Sequence, residues 1–172
     1  MSYDEKYVAA RAIHARAREM RGSFLNLVAC IEKRMANLLT EYFCRDCPHK
    51  KKLFFDGIVT ASFFGLRAKR NILVRILKQD YPRYWDREQE HFKEFDDVAN
   101  FRNRLAHCVL DVSEEALTRP IAEGVAFVDR DDCSPITERD FNNLEVKANM
   151  ILGCLTDIER LLPYKEVPLA KP

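Results

Sequence analysis

The chain has 172 residues, 47% of them apolar, and carries 28 Lys and Arg against 27 Asp and Glu for a formal charge of +1. A chain of this length buries one sizeable core more readily than two, and its near-neutral balance excludes a long-range field drawing it onto duplex DNA or an anionic membrane. No basic start with a following apolar run marks a signal peptide, and no run of about 18 apolar residues marks a membrane span, so the expectation is a cytoplasmic protein with no membrane contact.

In the first segment, from about Asp4 to Phe43, the apolar residues Ile13, Ala17, Met20, Phe24, Leu27, Ile31, Met35, Leu38 and Tyr42 advance by threes and fours. This spacing predicts a long amphipathic helix with one stripe facing a core. Its other face, with Arg11, Arg16, Arg18, Arg21, Glu32, Lys33 and Arg34, reads as solvated. Gly22 costs only about 1 kcal/mol in such a helix and does not break it. The stretch CRDCPHKKK interrupts the period, and Pro48 removes a helical hydrogen bond, so Cys44 to Lys51 is expected to be a loop.

Leu53 to Ala61 and Phe64 to Lys78 read as a short and a longer helix. DYPRYW reads as a turn, because Pro82 biases Tyr81 away from helical geometry. Asp86 to about Ala106 is a further predicted helix, with Phe92, Phe95, Val98, Ala99 and Leu105 inward. The period then changes: CVLDV and GVAFVD are rich in β-branched and aromatic residues, and Pro120 and Gly124 lie between them, which predicts a small hairpin with a loose loop. Thr137 is the expected N-cap of a last helix running to Leu162. The predicted fold is all-α: an antiparallel helical bundle with a small β-hairpin inserted before the last helix, one domain over 1–162 and a flexible proline-rich tail over 163–172.

Six cysteines spread through patterned segments suggest buried thiols, not a disulfide framework, in a reducing compartment. Cys44, Cys47 and His49 have the types and spacing of zinc ligands, yet no second Cys or His pair completes the set, so an ordinary loop is the plainer reading. Lys50 to Lys52 and Arg67 to Arg70 are local basic clusters able to touch phosphate, although such clusters are common on ordinary surfaces.

The stretch ANFRNRLAHC, from Ala99 to Cys108, gathers Arg102, Asn103, Arg104 and His107 near a helix end. Cations there complement the negative end of the helix dipole, which is reason enough for them. Asn103 and His107, four apart, share a face; Arg102 lies about 140° from His107 around the axis. If the helix ends near Ala106, His107 can turn back, and Arg102 can reach it along its flexible stem.

The string Arg102-Asn103-Arg104-Leu105-Ala106-His107 resembles the R-x4-H motif of the HEPN superfamily, in which a polar residue directly follows the arginine. Phe64, Gly65 and Lys69 are similar to a further segment of that family, and the expected order of helices agrees with it; the inserted hairpin departs from many members. The resemblance implies metal-independent RNA cleavage, without a cofactor, at a composite site of a homodimer. It implies catalytic roles for Arg102, Asn103 and His107, and substrate binding by Arg104 and Lys69. An imidazole can take the proton of a ribose 2'-hydroxyl or give one to the 5'-oxygen. A guanidinium faces the charge that builds on phosphorus. A toxin or defence role, with a separately encoded antitoxin or nucleotidyltransferase partner, fits such a protein. The alternative is a non-catalytic HEPN-like module binding RNA or a partner protein.

Overall fold

The computed structural model describes residues 2–118, 125–128 and 137–162. Among them the fold is all-α apart from one small two-stranded sheet. The elements are α1 (Tyr3–Cys44), α2 (Pro48–Phe54) with a π-helical turn (Phe55–Val59), α3 (Leu66–Asp80), α4 (Pro82–His107), β1 (Val109–Leu110), α5 (Glu114–Thr118), β2 (Phe127–Val128) and α6 (Glu138–Leu161). No described helix is long and apolar enough to cross a membrane.

Prolines account for most of the shifted boundaries. Pro48 and Pro82 each open a helix, at the position where an amide would have no intrahelical partner and where the fixed φ suits the first turn. The expected loop over Cys44 to Lys51 is therefore shortened, and α4 starts four residues before the expected Asp86. The short helix expected over Leu53 to Ala61 is the end of α2 and the π-helical turn, closed by the Thr60 amide donating to the Phe55 carbonyl at 3.0 Å. The expected small hairpin is present, with a short helix in the connection expected to be a loose loop. β1 and β2 pair antiparallel, Val109 with Val128 and Leu110 with Phe127, and α5 lies between them in the chain. Ser113 caps α5 by accepting from the Ala116 amide at 3.2 Å, and Glu114 and Glu115 occupy its favourable first turn. Pro120, Gly124, Cys133 and the expected tail lie outside the described residues.

The chain forms two compact units, 1–27 with 100–146 and 28–99 with 147–172, so α1, α4 and α6 each contribute residues to both. In the first unit Phe24, fully buried, meets Phe101 edge-on at 4.8 Å and Phe141 at 5.8 Å, with Ile13, Ala17, Met20, Leu105 and Phe127 completing the core. Thr137 caps α6 as expected: its hydroxyl accepts from the Asp140 amide at 3.2 Å, and the Asp140 carboxylate accepts from the Thr137 amide at 3.0 Å.

The second unit packs Ile31, Met35, Leu39, Leu73, Leu77, Phe92, Leu155 and Ile158. Its buried tyrosines keep partners: Tyr81 donates to the Leu162 carbonyl and Tyr84 to that of Cys154, each at 3.0 Å. Burial, above all, pushes the Tyr84 hydroxyl well above its usual range. Within each unit the supposedly solvated face of α1 is partly engaged. Arg16 pairs with Glu138 and Arg21 donates to the Cys108 carbonyl at 2.8 Å; Glu32 receives Lys69, and Arg34 donates to Thr156.

Candidate functional site

The last turn of α4 is fixed from its inner side. Phe101 and Leu105, at 4% and 0% exposure, enter the first unit's core, and helical geometry turns Arg102, Asn103 and His107 outward, where all three are exposed. His107 is still part of the helix, because the Cys108 amide donates to the Arg104 carbonyl at 2.7 Å and so continues the i to i−4 ladder past Ala106. The expectation that His107 turns back at a helix end near Ala106 is thus corrected. Arg102 and His107 stay about 140° apart around the axis, and their approach to a common ligand falls to the length of the arginine stem.

Arg102 Nη1 donates to Asn103 Oδ1 at 3.0 Å, a contact with a neutral amide. Among the described residues Arg102 has no ion pair and His107 has no hydrogen-bond partner. The two carboxylates that most closely precede the string in sequence are committed within the second unit, Asp96 to Arg67 and Arg70, and Asp97 to Lys147 at 2.6 Å, while Asp111, which follows it, accepts from the Ser113 amide at 2.9 Å. Arg104 is half-buried, and its charge reaches Asp140. That carboxyl is held below its usual range first by the Thr137 hydroxyl, then by the Thr137 amide, with Arg104 and Arg139 adding to the effect.

Lys69 has a different fate. It is 3% exposed in the second unit, donates to Glu32 at 2.6 Å and lies 5.9 Å from the centre of the Phe64 ring. The residues likened to the family's second segment, Phe64 and Lys69, therefore meet each other, while the lysine's charge is answered inside the protein. The Lys50 to Lys52 cluster is likewise paired in part, Lys51 with Glu41 and Lys52 with Asp56. Cys44 is buried, Cys47 half-buried and His49 exposed; their donor atoms do not gather into a ligand set.

One feature of the first unit lies outside the R-x4-H string. A groove of about 750 Å³ is lined by His14, Arg18, Arg21 and Leu25 of α1 together with Val109 and Phe127 of the sheet. Cys108 and Val109, directly after His107, belong to its wall. Arg21 lies over the Phe127 ring at 5.0 Å, which fixes that guanidinium against the groove's apolar side. The available sequence signal was the spacing of His14, Arg18, Arg21 and Leu25 by fours and threes, a stripe along one face of α1.

No protein-family model, no curated protein and no solved structure matches the chain.

Proposed function

We propose that the chain is a metal-independent endoribonuclease of HEPN type that works as a homodimer and serves as a toxin or defence protein. The observation that carries this reading is the state of the R-x4-H string: Arg102, Asn103 and His107 are exposed, and neither Arg102 nor His107 has an acidic partner among the described residues. A guanidinium and an imidazole with no charge partner of their own are available to a phosphodiester.

In the proposed step the ribose 2'-oxygen attacks phosphorus and the 5'-oxygen leaves. His107 removes the 2'-hydroxyl proton, and the partner subunit's His107 delivers one to the leaving oxygen, which gives a 2',3'-cyclic phosphate and a 5'-hydroxyl. Arg102 offsets the charge that builds on the nonbridging oxygens, with Asn103 orienting it. One string supplies one histidine, so acid and base together need two copies about a twofold axis. DNA, without the 2'-hydroxyl, is not cut. The groove that begins at Cys108 and Val109 has the volume for an unstacked nucleobase and an arginine for its phosphate, Arg18.

The test is incubation of purified protein with single-stranded RNA in EDTA. Wild type should cut, His107→Ala and Arg102→Ala should not, and equal cleavage by wild type and His107→Ala removes the proposal. RNA binding without cleavage by wild type would instead favour the non-catalytic module.

A further inference from the structure

The second unit contains a set of donors that neither its packing nor the proposed nuclease accounts for. Glu88 and His91 stand one turn apart on α4, and Cys154 comes from α6; one donor atom from each lies within 4.8 Å of the other two. Among the described residues no other three His, Cys, Asp or Glu side chains meet that closely. The Glu-x-x-His spacing puts both side chains on one helix face, a spacing that helical bundles use to present metal ligands.

The geometry is closer to a shared ion than to a direct bond. His91 Nε2 and Glu88 Oε2 are 3.5 Å apart, beyond an ordinary hydrogen bond. Bonds of about 2.0–2.1 Å from a tetrahedral metal to nitrogen and oxygen put those atoms about 3.3 Å apart. Arg87 helps to orient the Glu88 carboxylate, because Oε1 accepts from Arg87 Nε at 2.5 Å and Oε2 is left toward the imidazole. Cys154 is held by its backbone, whose carbonyl accepts from Tyr84, one turn before Glu88 on α4. Cys154 is 8% exposed, and the Glu88 and His91 side chains are 19% and 32% exposed, so the set is sheltered but open to solvent on the imidazole side. A mixed sulfur, nitrogen and oxygen set suits a borderline-soft ion and disfavours magnesium or calcium.

We infer that Glu88, His91 and Cys154 form a Zn²⁺ site that ties α4 to α6 within the second unit, with the fourth tetrahedral position left to water. On binding, the Cys154 S–H bond breaks, its proton passes to solvent and an S–Zn bond forms, with no change of oxidation state. The ion binds the folded arrangement only and so stabilises it. This inference does not depend on the nuclease reading, since Arg102, Asn103 and His107 belong to the other unit.

The test uses the full chain stripped with a chelator and titrated with Co²⁺ alone, then with Zn²⁺ as competitor. One equivalent of Co²⁺ should produce thiolate charge-transfer absorption and tetrahedral ligand-field bands, which Zn²⁺ abolishes while raising the Tm. The charge-transfer band should vanish in Cys154→Ser, and affinity should fall at least about tenfold in His91→Ala and Glu88→Gln, the order of effect expected where a metal's surroundings are disturbed. It should survive in the Cys44→Ser/Cys47→Ser double variant. Absence of the band in wild type, its survival in Cys154→Ser, or its loss in the double variant overturns the inference. Should Cys154→Ser fail to fold, unchanged Co²⁺ affinity in His91→Ala is equally decisive against it.

Discussion

At the start of α3 three cations each meet an acceptor: Arg67 faces Asp96, Lys69 donates to Glu32, and Arg70 donates to the Phe92 carbonyl. At the end of α4, Arg102 meets only the neutral amide of Asn103, and His107 meets no partner among the described residues. The two regions are both basic, yet their charges have different consequences. A cation already opposite a carboxylate contributes to the fold and has little left for a phosphate, whereas one left exposed adds little to the fold and keeps its full charge for a ligand.

The largest expected effect is at the α4 end. Replacing His107 by Ala should slow single-stranded RNA cleavage by about 10²–10⁴-fold, the usual contribution of one acid or base. Arg102→Ala should cost about 10²–10³-fold, the scale for one group facing transition-state charge. Both side chains are exposed, so stability should stay within about 0.5 kcal/mol of wild type. Rates of cyclic phosphate formation, read beside thermal unfolding curves, check this. Loss of activity together with loss of fold would erase the contrast between the two regions.

Lys69→Ala should show the opposite profile. Removing one member of a buried pair is strongly destabilising because the other charge is stranded, but the Glu32 side chain is 36% exposed and water can take over part of its solvation. The expected loss is about 1–3 kcal/mol in chemical denaturation, with cleavage per folded molecule unchanged. A normal stability coupled to weaker RNA binding would return Lys69 to the ligand-contacting role that its resemblance to a family segment implies.

The pattern of threes and fours is enough to read the helices and their buried stripes, because burial of Phe24, Leu73 or Leu105 follows from local periodicity. Boundaries at Pro48 and Pro82 are not legible in that way. Proline both ends and begins helices, and which it does depends on whether the residues after it find a packing face. Exposure of Arg102, Asn103 and His107 follows once Phe101 and Leu105 are assigned inward. The engagement of Lys69 with Glu32, 37 residues away, and the meeting of Glu88 and His91 with Cys154 depend on tertiary contact that no local spacing encodes.

A smaller effect tests the groove side of the first unit. Gly22 lies within α1, and a Cβ built there meets nothing within 4 Å. Gly22→Ala should therefore stabilise the chain by about 0.5–1 kcal/mol through helix propensity alone. Denaturant midpoints measure it, and destabilisation would mean that the groove wall at Gly22 has no room for a methyl group. If the added methyl also weakens RNA binding while the fold gains stability, the groove and the α4 end act as one surface.

The smallest expected effect concerns Asp140, whose carboxylate accepts from the Thr137 hydroxyl at 2.7 Å and the Thr137 amide at 3.0 Å at the start of α6. Those bonds, with help from Arg104 and Arg139, hold the carboxyl below its usual range. A depressed folded pKa contributes stability that is fully present above the unfolded value, about 3.9 for an aspartate, and is lost as pH falls through the folded value. Asp140→Asn should thus cost about 0.3–1 kcal/mol near neutrality, the usual worth of an anion at a helix start. The difference from wild type should shrink steadily in denaturation series taken below about pH 4, where the wild-type carboxylate itself becomes neutral. A difference that stays constant into acid would mean that Asp140 acts through shape and neutral hydrogen bonding, leaving its charge, like that of Arg102, without a role in holding the fold.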